Sequence, residues 1–339
     1  MPSVTLKEIA ETLGISIATV SKALKGYPDI SESTKQRVQE LAKSLNYHPN
    51  SFAQSLRTQQ SNLIGLIIPE IVHHFFANII QGVIDEAKKE GYLVIVLQSD
   101  ESYIHEKEQL QLLLEKNVDG ILISLSDKTV HYKHVKEVID AGMPVVLYDK
   151  ISKSLDCSKI IIDDRGAAKD ATTHLILRGC QKIAHISGPL KPQTTIDRYL
   201  GYKDALKEHG ISFQKELVYT SENLSYEDGY ALGEQILIDH PDVDGIFSFT
   251  DLVATGALTK IREMGIKIPD QVSIMGFSNW FLARITTPTL STVDQPGYRM
   301  GQEAFKQLCK EIKMTKDQEI ILPEIIKIPT KIVQRQSTR

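Results

Sequence analysis

Polar and aromatic side chains follow three short apolar runs, K-I-A-H-I-S, G-I-F-S-F and V-S-I-M-G-F. They are Gln193, Thr194, Arg198, Asp251, Ser278, Asn279 and Trp280. A guanidinium or a carboxylate can engage two neighbouring hydroxyl groups at once, and aromatic faces stack on flat rings. This set of side chains therefore suits the binding of a sugar or a sugar derivative.

The elements that would position these side chains are short apolar runs alternating with helical segments, from Asn62 onward. I-G-L-I-I-P, Y-L-V-I-V-L, G-I-L-I-S and P-V-V-L-Y form one set, and the three runs above form a second. Such a pattern indicates parallel sheets that are covered on both faces. Two sets predict two similar α/β lobes, whose ligands bind beyond the carboxyl ends of the strands. Asp100, which follows V-I-V-L-Q-S, is a weaker candidate on the same grounds.

Catalytic and metal-binding motifs are absent from the sequence. It contains no G-x-S-x-G, H-E-x-x-H, G-x-x-x-x-G-K-[ST] or G-x-G-x-x-G. His73 and His74 are chain neighbours, and His131 and His134 lie on a predicted helix without a nearby cysteine or carboxylate pair. We therefore expect no enzyme, no cofactor and no metal site.

The first part of the chain has the periodicity of short helices. Thr5 and Glu8 fit a capping box, one apolar stripe runs over 6–13, and Gly14 ends the helix. Ser16 is a good N-cap for a second helix two residues later. Helix, short glycine turn and helix is the layout of a helix-turn-helix.

The second helix would bury Val20, Ala23 and Leu24. It would present four side chains outward, Ile17, Ala18, Ser21 and Lys22. A third helix, capped by Ser31, repeats the apolar stripe. A helical hairpin that binds no DNA fits this pattern too, and charge does not decide: residues 1–57 carry a net charge of +2 and the remainder −6.

A last short helix is predicted after Pro49, which holds the preceding residue in an extended conformation. Asn50 is a good N-cap for a helix over 51–57, and the polar linker T-Q-Q-S-N follows. A helix of two turns is not stable alone. We therefore expect it to fold only when it is docked.

V-T-L-K-E-I-A, G-I-S-I-A-T-V-S-K-A-L, Y-H-P-N, S-F-A-Q-S-L-R, I-G-L-I-I-P and D-Q-P occur in this order. With these segments the chain closely resembles the lac repressor and galactose repressor (LacI/GalR) family of bacterial transcription regulators, over essentially its whole length. The resemblance implies an all-α helix-turn-helix head over 1–48, a hinge helix and linker over 49–61, and an effector domain over 62–339. That domain would have the two-lobed α/β fold of type I periplasmic binding proteins.

The resemblance also implies lobe boundaries, with crossovers near 160–163, 286–292 and 319–324. The first lobe would comprise about 62–160 and 292–320, and the second about 161–287 and 321–335. The family pattern gives a homodimer, and the chain end K-I-V-Q-R-Q-S-T-R lacks the leucine heptad of tetrameric relatives.

Carried over residue by residue, the family pattern places Ile17, Ala18 and Lys22 against base edges in the major groove. Lys22 is then the main polar reader, because Ile17 and Ala18 can only contact a thymine methyl or exclude a bulkier edge. The residues expected to contact phosphates or cap helices are Thr5, Ser16, Thr19, Ser21 and Asn50. Leu56, with Ala53 beside it, would wedge open the minor groove at the centre of a palindromic operator. An ordinary linker leucine is the alternative for Leu56.

In the effector domain the resemblance adds Phe75 and Phe76 to the candidate site. Both could equally be core residues, and Arg198 could be a structural ion pair. The family commonly has an aspartate where this chain has Ser278, so the identity of the effector cannot be transferred from other members. Trp280 would compensate by stacking on the ligand, or it would face the dimer partner instead.

Composition limits the class of protein. No apolar run is long enough to span a membrane, and M-P-S-V-T does not begin a secretory signal. Cys157, Cys180 and Cys309 read as reduced thiols. The sequence therefore predicts a cytoplasmic, nucleoid-associated regulator that binds double-stranded operator DNA under the control of a small molecule such as a sugar or sugar phosphate. The alternatives are a sugar-binding protein of an uptake system, which needs a signal peptide, and a sugar-processing enzyme, which needs an acid/base pair.

Overall fold

In the described part of the N-terminal unit, three helices form where the capping residues predict them. The computed structural model describes residues 4–47, 60–71 and 74–339, and the chain divides into two units, Met1–Ser61 and Asn62–Arg339. The helices within residues 4–47 are α1 (Leu6–Leu13), α2 (Ile17–Leu24) and α3 (Glu32–Ser44). Ser16 and Ser31 cap α2 and α3 through their hydroxyl oxygens.

The turn between the first two helices has the predicted chemistry. Thr5 and Glu8 form a reciprocal capping box at the start of α1. Gly14 ends that helix with a φ of 67°, a left-handed conformation that glycine adopts without steric cost. The predicted helix-turn-helix is therefore confirmed in its fold.

A small apolar core joins the three helices. Ile9, Val20 and Val38 contribute one fully buried side chain from each helix. Ala10, Ala23 and Ala42 fill the space between them. Because the core residues point inward, the opposite face of α2 is left in solvent.

The second unit contains two six-stranded sheets. The first sheet has the order β11-β5-β4-β3-β1-β2 and is parallel throughout. Its strands are β1 (Leu63–Ile68), β2 (Leu93–Gln98), β3 (Gly120–Ile123), β4 (Val145–Tyr148), β5 (Lys159–Ile162) and β11 (Ile325–Ile328).

The second sheet repeats this plan. Its order is β12-β10-β9-β8-β6-β7, and β12 pairs antiparallel with β10 whereas the other pairs are parallel. Its strands are β6 (Ile183–Ser187), β7 (Val218–Thr220), β8 (Gly245–Ser248), β9 (Ser273–Ser278), β10 (Ser291–Asp294) and β12 (Lys331–Val333). The two sheets confirm the predicted two-lobed α/β fold.

Helices cover the faces of both sheets. They are α4 (His74–Lys89), α5 (Tyr103–Glu115), α6 (Lys133–Asp140), α7 (Asp164–Leu177), α8 (Gln193–Glu208), α9 (Tyr226–Asp239), α10 (Asp251–Glu263), α11 (Leu282–Ile285) and α12 (Gly297–Lys316), with a 3₁₀ turn at Lys215–Leu217. In the described ranges, none of the helices is both long and apolar enough to span a bilayer.

Helices α4 and α12 approach each other closely through glycine. A Cβ atom on Gly82 would lie 2.2 Å from the carbonyl oxygen of Tyr298, and one on Gly301 would lie 2.2 Å from that of Ile79. Any larger residue would force the two helices apart. The fully buried side chains of Leu66, Phe305 and Leu308 belong to the core of this lobe.

The strand pairing corrects the predicted lobe boundaries. The chain leaves the first sheet after Ile162, in agreement with the crossover expected near 160–163. However, Ser291–Asp294 pairs with Ser273–Ser278 in the second sheet, and Ile325–Ile328 pairs with Lys159–Ile162 in the first. The boundaries predicted near 286–292 and 319–324 are therefore wrong. The segment S-T-V-D is too short and polar to show its sheet from the sequence.

Candidate functional site

The exposed face of α2 carries the predicted base-reading residues. Ile17 is 48% exposed, and Ala18 and Lys22 are also in solvent. Thr19 and Ser21 are half-buried beside them. This face of α2 therefore presents an apolar and a cationic side chain to solvent.

Lys22 is held by an ion pair within the head. Its ammonium contacts the carboxylate of Asp29, in the segment that follows α2. Hydrogen bonding to Asp29 raises the pKa of Lys22, and the pKa of Asp29 is lowered by the same contact. Both side chains are about half exposed, so water and DNA can compete for the pair.

The hydroxyl groups of the head act as helix caps. Ser16 Oγ accepts a hydrogen bond from the backbone N–H of Thr19 at 3.0 Å and shares a second with its hydroxyl. Thr5 accepts from the backbone N–H of Glu8. Thr5 and Ser16 therefore cap helices as expected, while a contact of these residues with phosphates stays a prediction. Asn50, Ala53 and Leu56 lie outside the described residues.

A cavity of about 460 Å³ lies between the two sheets of the second unit, within the size range of small-molecule sites. Seven of the nine predicted effector residues line it: Phe75, Phe76, Thr194, Arg198, Asp251, Ser278 and Trp280. The weaker candidate Asp100 lines it too. Because the strands of both sheets end at this cavity, it occupies the position expected for a ligand of parallel sheets.

Gln193 and Asn279 do not line the main cavity. Gln193 lines a smaller neighbouring cavity that shares Asp127, Lys150 and Lys191 with the main one. Asn279 donates to Asp294 at 2.9 Å and accepts from Arg335 at 2.7 Å. A polar residue after a strand can thus stabilise the fold behind the site. The sequence pattern does not distinguish such a residue from one that binds a ligand.

Arg198 is both a cavity residue and a structural ion pair. Its Nε donates to Asp164 at 2.8 Å, and its Nη1 donates to the carbonyl oxygen of Phe249 at 2.9 Å. The guanidinium stacks over the rings of Phe249 and Phe277, with centroid distances of 4.4 and 3.6 Å. Only Nη2 makes no hydrogen bond to the described residues. The two N–H groups of Nη2 are therefore available to a ligand.

Asp251 is more fully engaged than the sequence predicts. One carboxylate oxygen accepts from the hydroxyl of Thr292, and the other accepts from the backbone N–H of Trp280 at 2.7 Å. The side chain is 1% exposed, and burial raises its pKa to about 6. Asp251 therefore shapes the wall of the cavity and is poorly placed to hold two ligand hydroxyls.

Aromatic rings from both lobes meet at the cavity. The ring of Trp280, after β9, stacks on His74 of α4 with a centroid distance of 6.4 Å. Phe75 packs edge-on against Phe76, which is 4% exposed and belongs to the core. Phe75 and Trp280 can therefore offer surface to a ligand, and Phe76 chiefly supports the wall.

The site also contains a buried carboxylate, that of Asp149, which the sequence analysis does not predict. Asp149 follows β4, is 8% exposed, and accepts a hydrogen bond from Gln295 at 3.1 Å. Burial, together with the nearby negative charge of Asp164, raises the pKa of Asp149 to about 7. Asp149 directly follows P-V-V-L-Y, which is a predicted strand. The expectation that ligands bind beyond the carboxyl ends of strands, which predicts Asp251, therefore applies to Asp149 as well.

The sequence analysis also does not predict a charged cluster at the cavity. Lys150 contacts the carboxylates of both Glu101 and Asp127. These contacts raise the pKa of Lys150, and burial raises the pKa of Glu101. Because Glu101 and Lys150 are far apart in the chain, no local sequence motif predicts this cluster. Among the described residues no three His, Cys, Asp or Glu side chains form a group that could hold a metal ion.

Comparison with known families identifies the chain. The family described as bacterial regulatory proteins of the lacI family matches residues 5–50, and the family described as periplasmic binding proteins and sugar binding domain of LacI family matches residues 61–336. The chain belongs to the LacI family. This LacI-family protein is accordingly a DNA-binding transcription regulator and not an enzyme, and the regulatory head separates it from the uptake proteins considered above.

Relatives of this regulator match along its whole length. The ribose operon repressor of Halalkalibacterium halodurans is 34% identical over 99% of this chain and 97% of its own. The structure of the transcriptional regulator CelR–cellobiose complex has a TM-score of 0.75 at 26% identity, covering 98% of this chain and 99% of that one. The lac repressor dimer bound to operator and the anti-inducer ONPF has a TM-score of 0.87 at 24% identity, covering 99% of both chains, and supports the fold.

Proposed function

We propose that this regulator binds a palindromic operator as a homodimer and represses transcription, and that a hydroxyl-rich small molecule sets its affinity for DNA. A regulator that reads operators works where the DNA is, in the cytoplasm and on the nucleoid. In this proposal Ile17, Ala18 and Lys22 contact base edges, and Thr5, Ser16, Thr19 and Ser21 contact phosphates or cap helices. Support comes from the exposed apolar and cationic face of α2.

The hinge segment makes the binding conditional. In this proposal Asn50 caps a short helix, and Leu56, with Ala53 beside it, enters the minor groove from each protomer. Two such wedges would kink the duplex at the operator centre. A helix of two turns folds only when it is docked, so its spacing to the second copy controls affinity.

The observation that carries the effector proposal is the cavity of about 460 Å³ at the strand ends of both sheets. A ligand that contacts both lobes with different affinity in the open and closed states shifts the population between them. The lobe angle would then set the distance between the two hinge segments. The names of two relatives, a ribose operon repressor and a regulator complexed with cellobiose, support a carbohydrate.

The test has two stages on the full chain. Selection from random duplexes should yield a palindrome, and a thermal-shift screen against sugars and sugar phosphates should yield a ligand. That ligand should then change operator affinity about tenfold or more. Failure to select any sequence would refute the proposed operator binding, and a ligand without effect on DNA binding would refute the coupling.

The wedge is tested separately with Leu56→Ala. We expect a loss of specific affinity of about tenfold or more with nonspecific binding retained, because the variant keeps the cationic head but not the intercalating side chain. Leu177→Ala, at a leucine that is 74% exposed on α7, is the matched control. Equal operator affinity of Leu56→Ala and the unaltered chain would refute the wedge.

A further inference from the structure

The inner wall of the cavity carries a carboxylate without a matching cation. Asp149 accepts one hydrogen bond, from the neutral amide of Gln295, at its Oδ1 atom. Its Oδ2 atom accepts none from the residues that the structure describes. A carboxylate that is nine-tenths buried normally has a cation or several donors around it. Asp149 therefore has unfilled capacity for a donor from outside the chain.

The two nearest buried cations are engaged elsewhere. Arg198 donates to Asp164 and to a backbone carbonyl. Lys150 is shared between Glu101 and Asp127. Each cation is thus balanced or outnumbered by its own carboxylates, and neither forms an ion pair with Asp149.

Helix α10, which begins at the cavity as α4 and α8 also do, does not offer an anion site either. Helix α10 has Asp251 at its first position, so a carboxylate of the chain already lies at the positive end of the helix dipole. An incoming phosphate would meet this carboxylate as well as Asp149. The positive end of α10, of the kind that binds anions in many proteins, is therefore occupied by a carboxylate of the chain.

The cavity as a whole is acidic. Among the described residues, seven carboxylates and four cationic side chains line it, which gives a formal charge of −3. The cations not engaged with buried acids are Lys128 and Lys191, and both are exposed at the surface. Cations in solvent are screened, whereas the field of a buried carboxylate is strong.

We propose that the effector is an amino sugar whose protonated amine binds Asp149. This inference rests on the proposed function and specifies the chemical class of its ligand. An ammonium would donate a charge-assisted hydrogen bond to Oδ2, which is about twice as strong as one from a neutral hydroxyl. A sugar phosphate would add negative charge beside Asp149 without an uncommitted buried cation to balance it.

The test compares matched ligands by calorimetry on the full chain. Each series consists of a hexose, its 2-amino form, its N-acetylated amine and its 6-phosphate, for glucose, galactose and mannose. We expect the amine in the best-binding series to bind about tenfold more tightly than the neutral members, with the phosphate weakest. N-acetylation removes the charge and keeps the nitrogen, so it separates charge from shape.

Asp149→Asn gives the residue-level test. We expect the variant to lose the tenfold preference for the amine over its N-acetylated form. Glu108→Gln removes the same charge at an exposed position of α5 and should keep the preference. Thermal unfolding of each variant verifies that it is folded.

The outcomes distinguish this inference from the proposed function. Three results would overturn the inference. A neutral sugar or a sugar phosphate could bind as tightly as the amine or more tightly, or the Asp149→Asn variant could keep the preference for the amine. The third is that no amine binds at millimolar concentration. Operator binding that responds to a neutral sugar would overturn it while leaving the proposed function intact. Absence of operator binding would overturn the proposed function, whichever ligand the cavity takes.

Discussion

Gln295 donates its side-chain amide to Asp149 across the two sheets, at a distance of 3.1 Å. Asp149 follows β4 of the first sheet, and Gln295 follows β10 of the second, at a crossover of the chain. The hydrogen bond therefore joins one lobe to the other at the wall of the cavity. A ligand that engages Asp149 acts directly on a contact between the lobes.

The first prediction concerns Asp149 and pH. Burial raises its pKa from 3.8 to about 7, so the folded state holds a proton that the unfolded state has released. The folded chain therefore loses stability as pH rises from about 4 to about 7. Asp149→Asn removes this loss, and we expect it to be more stable than the unaltered chain above pH 7, by about 4 kcal/mol at most.

The measurement is urea unfolding of both proteins between pH 4 and pH 8. The difference in free energy of unfolding should be smallest near pH 4, where Asp149 is protonated in the folded state and partly protonated in the unfolded state. Glu108→Gln, an exposed charge-matched control, should show no such trend. A constant difference across the pH range would show that Asp149 is not the titrating group.

The second prediction concerns Lys22. Because it is the longest polar side chain on the exposed face of α2, Lys22→Ala should relax the preference at one base pair in each half-site by about 1–3 kcal/mol. Lys43→Ala, on the exposed surface of α3, is the matched control. Affinities for single-base variants of the selected operator give the answer. A uniform loss on every sequence would make Lys22 a phosphate contact instead.

How much of the fold the sequence predicts depends on how local its causes are. The Thr5–Glu8 capping box and the Gly14 turn involve neighbours in the chain, so their residue types suffice to predict them. The two sheets follow from repeated apolar runs. The sheet of Ser291–Asp294 does not, because it is decided by pairing with Ser273–Ser278 and not by its own four residues.

The site shows the same limit. Strand ends place Arg198 and Asp251 at the cavity, as the sequence predicts. Their hydrogen bonds are not predictable, since Thr292 and Asp164 come from distant parts of the chain. The position of Asp149 after a strand is predictable from the sequence, and its burial is not.

The third prediction concerns His185, a fully buried residue of β6. Its ring stacks on Phe247 and Tyr202, with centroid distances of 4.9 and 5.1 Å, and burial lowers its pKa to about 4. The unfolded chain takes up a proton near pH 6.5, and the folded chain does so only near pH 4. Stability should therefore fall as pH drops through this window, by up to about 3 kcal/mol.

His185→Phe keeps a ring in the stack and removes the titrating group. The loss of stability between pH 6.5 and pH 4 should be shallower in this variant than in the unaltered chain. His131→Phe, at an exposed position, should leave the slope unchanged. Parallel pH profiles for the unaltered chain and His185→Phe would contradict the assignment.

The last prediction separates the two roles of Arg198. Because Arg198 is 4% exposed and paired with the buried Asp164, Arg198→Ala leaves a buried charge without its partner. We expect a loss of about 3–5 kcal/mol in the free energy of unfolding, beyond any effect on ligand binding. Asp164→Asn should restore part of that loss in the double variant, since the isolated charge is then removed. Urea unfolding of both single variants and the double variant measures the coupling, and strictly additive losses would show that the pair contributes nothing as a pair.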